Sequence, residues 1–146
     1  MKKFLKSFSI CLVIIAMIST TAFAAAPNDS AAPQANSYIA KTTVGIVAMG
    51  GGKIEVDFAV TATRPMPDVG ATRVTIYKEG GTIVATYRYT DPGYAYMMGH
   101  NSGNHVASVT YQGVSGQRYY AIVTFYAGNL NGSGGGASLG SAIITV

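Results

Sequence analysis

The sequence predicts an all-β protein, an antiparallel β-sandwich of about seven strands. Three observations carry that prediction. From Tyr38 onward apolar and polar residues tend to alternate, the period of half-buried strands. Glycine and proline clusters separate the alternating stretches, and no segment has the 3.6-residue period of an amphipathic helix. Lys53 to Thr63 is the clearest case: Ile54, Val56, Phe58, Val60 and Ala62 fall on one face, and Lys53, Glu55, Asp57, Thr61 and Thr63 on the other. Only Ala59 breaks the pattern, and no helical spacing would segregate these residues so cleanly.

Residues 1–24 read as a signal peptide. Lys2, Lys3 and Lys6 supply the positive start, Ile10 to Ile18 an apolar run too short to span a bilayer comfortably, and Ala22-Phe23-Ala24 the small-x-small cleavage pattern. The expected localisation is therefore secreted, outside the cytoplasm. Cys11, the one cysteine, lies inside this signal, and Ile10 stands where a lipid-modified cysteine would follow a small residue. With no later apolar stretch of spanning length, no membrane anchor is expected. Residues 25–37, rich in Ala, Pro, Asn and Ser, read as a flexible leader, and 38–146 as the β-sandwich domain.

Within that domain Ile39 to Ala48 is expected to pair with Lys53 to Thr63 through the turn Gly50-Gly51-Gly52. Ala71 to Lys78 and Thr82 to Tyr89 form a second predicted hairpin, turning at Glu79-Gly80-Gly81. Pro65 and Pro67 fall between the two hairpins, where a missing N–H does no harm. His105 to Gln112, Gln117 to Ala127 and Ala137 to Val146 supply the remaining strands, the last with an exposed edge near Ala142 to Val146.

Composition excludes several functions. Ten basic residues face six acidic ones, but three of the ten are the signal lysines, so the processed chain is close to +1. No basic patch remains for nucleic acid. Cleavage after Ala24 of the 146-residue chain leaves about 122 residues, enough for one domain able to fold without disulfide or metal.

Gly116-Gln117-Arg118-Tyr119-Tyr120-Ala121-Ile122-Val123-Thr124-Phe125-Tyr126-Ala127 resembles the penultimate strand of fibronectin type III and other immunoglobulin-like domains. The resemblance implies an immunoglobulin-like sandwich. It makes Tyr119 the corner tyrosine, ring inward and hydroxyl bonded to upstream backbone, with Ala121, Val123 and Phe125 following into the core. No tryptophan is present, and Ser115 stands where those domains often carry proline. The whole chain also resembles small uncharacterised secreted β proteins of bacteria, which implies a fold and no activity.

Several motifs resolve into ordinary structure. Gly136-Ala137-Ser138-Leu139-Gly140 matches a nucleophile elbow, but no acid or histidine follows Ser138, so a glycine-rich turn is expected. Lys53 after Gly50 to Gly52 is followed by Ile54, not Ser or Thr, and no helix follows; turn glycines are expected there and at Gly132 to Gly136. Glu55 and Asp57 put two carboxylates about 6 to 7 Å apart. They face solvent from a flat sheet and not a cleft, unlike the pair of a glycosidase.

The segment Asp91 to His105 is long for a plain connection and holds both histidines and the adjacent Met97-Met98. His100 and His105 are the candidate metal ligands, with Asp91 suiting zinc or the methionines Cu(I). Neither a third histidine nor the spacing fixes a geometry. All ten tyrosines follow the signal; Tyr94 and Tyr96 lie in the long segment, and Tyr120 and Tyr126 share the outward parity of one strand. These four are the candidate ligand-binding residues, because a tyrosine ring offers an apolar face with a polar tip. No nucleophile–base pair or complete ligand set appears. The expected function is a secreted, non-enzymatic interaction or adhesion module without a cofactor, its partner an extracellular protein. The alternative is a carbohydrate-binding module for cell-wall or host glycans.

Overall fold

A computed structural model describes residues 36–146. The signal-peptide reading, Cys11 and the leader up to residue 35 lie outside the described residues. Seven strands, β1 (Ile39–Gly50), β2 (Lys53–Lys78), β3 (Thr82–Arg88), β4 (Met98–Gln112), β5 (Arg118–Gly128), β6 (Gly134–Gly140) and β7 (Ile144–Thr145), join in one antiparallel sheet. The sheet curls into a half-barrel. A 3₁₀ turn at Ala95–Met97 is the one helical element among the described residues.

The period-two pattern translates directly into burial. Ile54, Val56, Phe58, Val60 and Ala62 are all buried, whereas Lys53, Asp57, Thr61 and Thr63 are exposed. Burying each large apolar side chain stabilises by roughly 1.5–3 kcal/mol, so this stripe fixes which face of β2 turns inward. Gly50, Gly51 and Gly52 adopt φ of 86°, 61° and 81°, which lets β1 fold straight back onto β2. The second hairpin turns at Gly80 and Gly81 as the sequence predicts, linking Lys78 to Thr82.

The stretch around the prolines differs from expectation. Pro65 and Pro67 do not separate two strands but lie inside β2, a single strand of 26 residues. Between the pairs Thr61–Asn104 and Met66–Ser102, β2 advances five residues while β4 advances two. The surplus bends β2, and prolines are tolerated at such a bulge because no ladder bond is required of them. The bend lets β2 change neighbours. Residues 53–61 lie between β1 and β4, Asp68 to Gly70 between β4 and β5, and Arg73 to Lys78 between β5 and β3.

Two further boundaries move. The segment from Met98 to His105 is strand and not loop, because Met98 to Ser102 pairs with Gly70 to Met66 of β2. Only residues 89–97 connect β3 to β4. The final predicted strand splits into β6 and β7, and Gly134, Gly135 and Gly136 belong to β6 instead of a turn. The total is seven because one merger offsets one division.

Across the interior Phe58 of β2 meets Phe125 of β5, rings 6.4 Å apart and edge to face at 67°. Tyr119, 2% exposed, turns its ring inward, and its hydroxyl accepts the Val114 N–H at 3.0 Å. Asn36 ties the start of the described chain down. Its side-chain oxygen accepts the N–H groups of Tyr38 and Ile39, and its amide donates to the Gly136 carbonyl of β6. No helix among the described residues is long and apolar enough to cross a membrane.

Candidate functional site

The structure divides the sequence-predicted site residues: Tyr94, Tyr96 and His105 come together, while Tyr120 stacks on Tyr77 of β2. Tyr94 caps the 3₁₀ turn and packs between Tyr87, 4.9 Å away, and Tyr96, 6.1 Å away. The Tyr87 hydroxyl donates to the Thr110 carbonyl and the Tyr96 hydroxyl to that of Ser108. Among the described strands β4 pairs with β2 alone, so its other edge presents backbone groups outside that ladder. The tyrosine row covers that edge. Burial, and then neighbouring tyrosines, push the phenols of Tyr87 and Tyr96 above their ordinary range.

Tyr126 lies against the β5–β6 turn. Its hydroxyl donates to the Asn129 carbonyl, and a Cβ at Gly134 would collide with its ring. The histidines also serve the scaffold. His100 Nδ1 sits 2.9 Å from Asp68 Oδ1, while Asp68 Oδ2 accepts the Leu130 N–H. His105 Nε2 lies 2.8 Å from the Tyr96 carbonyl, which can only accept, so this nitrogen carries the proton. Among the described residues no three His, Cys, Asp or Glu side chains converge into a metal-binding group. Ser138, centre of the elbow-like motif, sits mid-strand and donates to the Thr124 hydroxyl. Glu55 accepts a bond from Ser108, and Asp57 is pushed above the usual carboxylate range by burial and then by Glu55.

Of the four candidate tyrosines, Tyr120 leads to a groove on the outer surface. It stacks on Tyr77 of β2 with ring centres 4.9 Å apart and planes 7° from parallel. Tyr77 in turn lines a groove of about 240 Å³ on the outer face of β3, β2 and β5. Inward positions on these strands, Val74, Ile76, Ala121 and Val123, are fully buried, so the alternate residues must point out.

Those outward residues form three rungs across the strands. The first aligns Arg88, Arg73, Thr124 and Ser138; the second Thr86, Thr75, Ile122 and Gly140; the third Ile83, Tyr77 and Tyr120. Thr75 forms the floor at 6% exposure, and Ile83 the rim at 58%. Two guanidinium groups thus stand at one end of the groove, hydroxyls in the middle and tyrosine rings at the other end. Among the described residues neither Arg73 nor Arg88 forms an ion pair; the pairs present are His100–Asp68 and Arg118–Glu79. β6 borders the face with Gly136 and Gly140 at outward positions, which leaves backbone approachable there.

Sequence reasoning missed Arg73, Arg88, Tyr77, Thr75, Thr86 and Thr124. The hairpin containing the first five was legible, and counting across it would have placed Tyr77 beside Ile83. Comparison with protein-family models, with curated proteins and with solved structures finds no match to the chain.

Proposed function

We propose that the chain is a secreted, non-enzymatic interaction module of the immunoglobulin-like sandwich type, which holds an extracellular ligand on the outer face of β3, β2 and β5. The sandwich reading is supported by the grouping of strands. β1, the first part of β2 and β4 make one set; the last part of β2, β5 and β6, with β3 at the margin, make the other. Immunoglobulin-like domains divide their strands in a comparable way between two sheets. The inward Tyr119 with its upstream backbone bond supports the same reading.

One observation carries the choice of surface: the groove brings unpaired arginines, hydroxyls and a stacked tyrosine pair onto one rigid sheet face. Strands fix the backbone positions from which these side chains project. The row Tyr87, Tyr94 and Tyr96 is a weaker candidate, because the hydroxyls of Tyr87 and Tyr96 are engaged on β4. The carbohydrate-binding alternative is favoured by the threonine hydroxyls lying between arginine and tyrosine, a mixture that suits the polar and apolar faces of a sugar.

The test is recovery of partners from culture or host extract by the immobilised mature domain. An Arg73→Ala/Tyr120→Ala variant should lose what the unaltered domain retains, and Tyr96→Ala should keep it. Equal recovery by the face variant and the unaltered domain would place the ligand elsewhere.

A further inference from the structure

We infer that the groove on β3, β2 and β5 takes an acidic polysaccharide, its carboxylate held by Arg73 and Arg88 and its sugar rings lying along Thr75 toward Tyr77. This rests on the reading of that face as the binding surface and adds the chemical class of the ligand.

The arginines give the charge. Arg73 and Arg88 are register partners on antiparallel strands and both are exposed. Neither guanidinium forms an ion pair among the described residues. Like charges directly opposite one another destabilise a strand pair. An anion between them removes that repulsion, and the planar guanidinium fork matches a carboxylate with two parallel hydrogen bonds. Asp91 is the nearest carboxylate: its Oδ2 accepts the Arg88 backbone N–H at 2.9 Å and makes no ion pair with the guanidinium. Glu55 and Asp57 are on the first part of β2, Asp68 further along it is engaged by His100 and the Leu130 N–H, and Glu79 at the hairpin turn is engaged by Arg118.

The rest of the groove favours a sugar over an acidic peptide. Thr86 and Thr75 occupy the rung next to the arginines, and Thr124 lies across from Arg73. These hydroxyls both donate and accept, as sugar hydroxyls do. Tyr77, backed by Tyr120 and bordered by Ile83, ends the groove with a flat apolar wall. From Arg73 to Tyr77 is four residues of strand, about 13 Å, so one ligand spanning both must be extended. A chain of linked sugar rings with carboxylates at intervals meets all three demands.

The experiment uses the mature domain in affinity electrophoresis and calorimetry. The probes are polygalacturonate, the same polymer with its carboxylates reduced to alcohols, chondroitin sulfate, and poly-glutamate. The expected result is retention on polygalacturonate that weakens as salt is raised. Arg73→Ala and Arg88→Ala should each weaken it about tenfold or more, the loss typical of a bond to a charged group. Tyr77→Ala should weaken it also, with folding checked by near-ultraviolet circular dichroism. The reduced polymer should be lost.

Equal binding of the reduced polymer, still abolished by Tyr77→Ala, would overturn the acidic ligand and leave the binding face standing. Poly-glutamate binding as tightly as polygalacturonate would assign the groove to acidic peptides, and a preference for chondroitin sulfate would assign it to sulfate esters. Polygalacturonate retention unmoved by either arginine substitution would overturn the inference. No retention on any polymer, with partner recovery from extract still dependent on Arg73, would overturn the ligand class and spare the face.

Discussion

Arg73 and Arg88 oppose each other across β2 and β3, neither guanidinium in an ion pair among the described residues, the one place on the described sheet where two cations share a rung. Such an arrangement costs folding free energy in the free protein, on the order of 0.2–1 kcal/mol for a cross-strand pair. Arg73→Thr or Arg88→Thr should therefore raise the urea midpoint of the free domain. The gain should shrink in high salt, which screens exposed charges. A midpoint that falls for both variants, at all ionic strengths, would show that the arginines stabilise the sheet through packing.

The same pair shows where the sequence stopped being readable. The hairpin, its turn at Glu79 to Gly81 and the inward stripe of Val74 and Ile76 all follow from alternation and glycine placement. The partner of Arg73 does not. Counting outward from Lys78–Thr82 sets Arg73 opposite Tyr87, and only the bulge between Ile76 and Tyr77 shifts the register to Arg88. A second irregularity hid the long β2. Pro65 and Pro67 carry the local signal of a break, and their place within a bent strand depends on Met66 pairing with Ser102, a contact far along the chain. Met98 to Ser102 reads as loop for the same reason. Its strand character comes from that partner and survives Asn101 at φ 51°, a left-handed residue that interrupts the extended run and has no place in the ladder with β2.

Thr42 sits on β1 opposite Val60, 6% exposed, with a hydroxyl that finds no partner among the described residues. A buried donor left unpaired carries its full desolvation cost. Thr42→Val keeps the shape and removes the cost, so the domain should gain about 1 kcal/mol. Chemical denaturation with an unchanged slope against denaturant is the measurement. A loss of stability would mean that the hydroxyl is satisfied in solution.

Gly70 marks where β2 passes the 3₁₀ turn. A Cβ there would lie 2.3 Å from the Met97 carbonyl oxygen and 2.7 Å from Met98 Cα, both backbone atoms that cannot swing aside. Gly70→Ala should cost about 1–3 kcal/mol or more, in line with overpacking of a close-packed interior. Gly45→Ala on β1 is the control. Its Cβ would meet only Asp57 Cβ at 3.9 Å, so stability should change by no more than about 0.5 kcal/mol. Equal effects at the two positions would refute the close approach.

The tyrosine row on β4 makes the fold sensitive to alkali. Tyr87 and Tyr96 have phenol pKa values raised above 10.0 by burial and by one another's neighbours, while the unfolded chain ionises near the ordinary value. A group whose folded pKa is raised contributes stability that is complete below the unfolded pKa and is lost as pH climbs through the folded one. Ionisation also removes the donors that cover Thr110 and Ser108. The melting temperature should hold steady to about pH 9.5 and then fall, with phenolate absorbance rising late for these residues. Tyr87→Phe and Tyr96→Phe each remove one hydroxyl and should cost about 0.5–1.5 kcal/mol at neutral pH. The double variant should also show a shallower alkaline fall than the parent. If parent and double variant lose stability with the same slope above pH 10, the hydroxyls do not seal that edge, and β4 is held by its ladder with β2 alone.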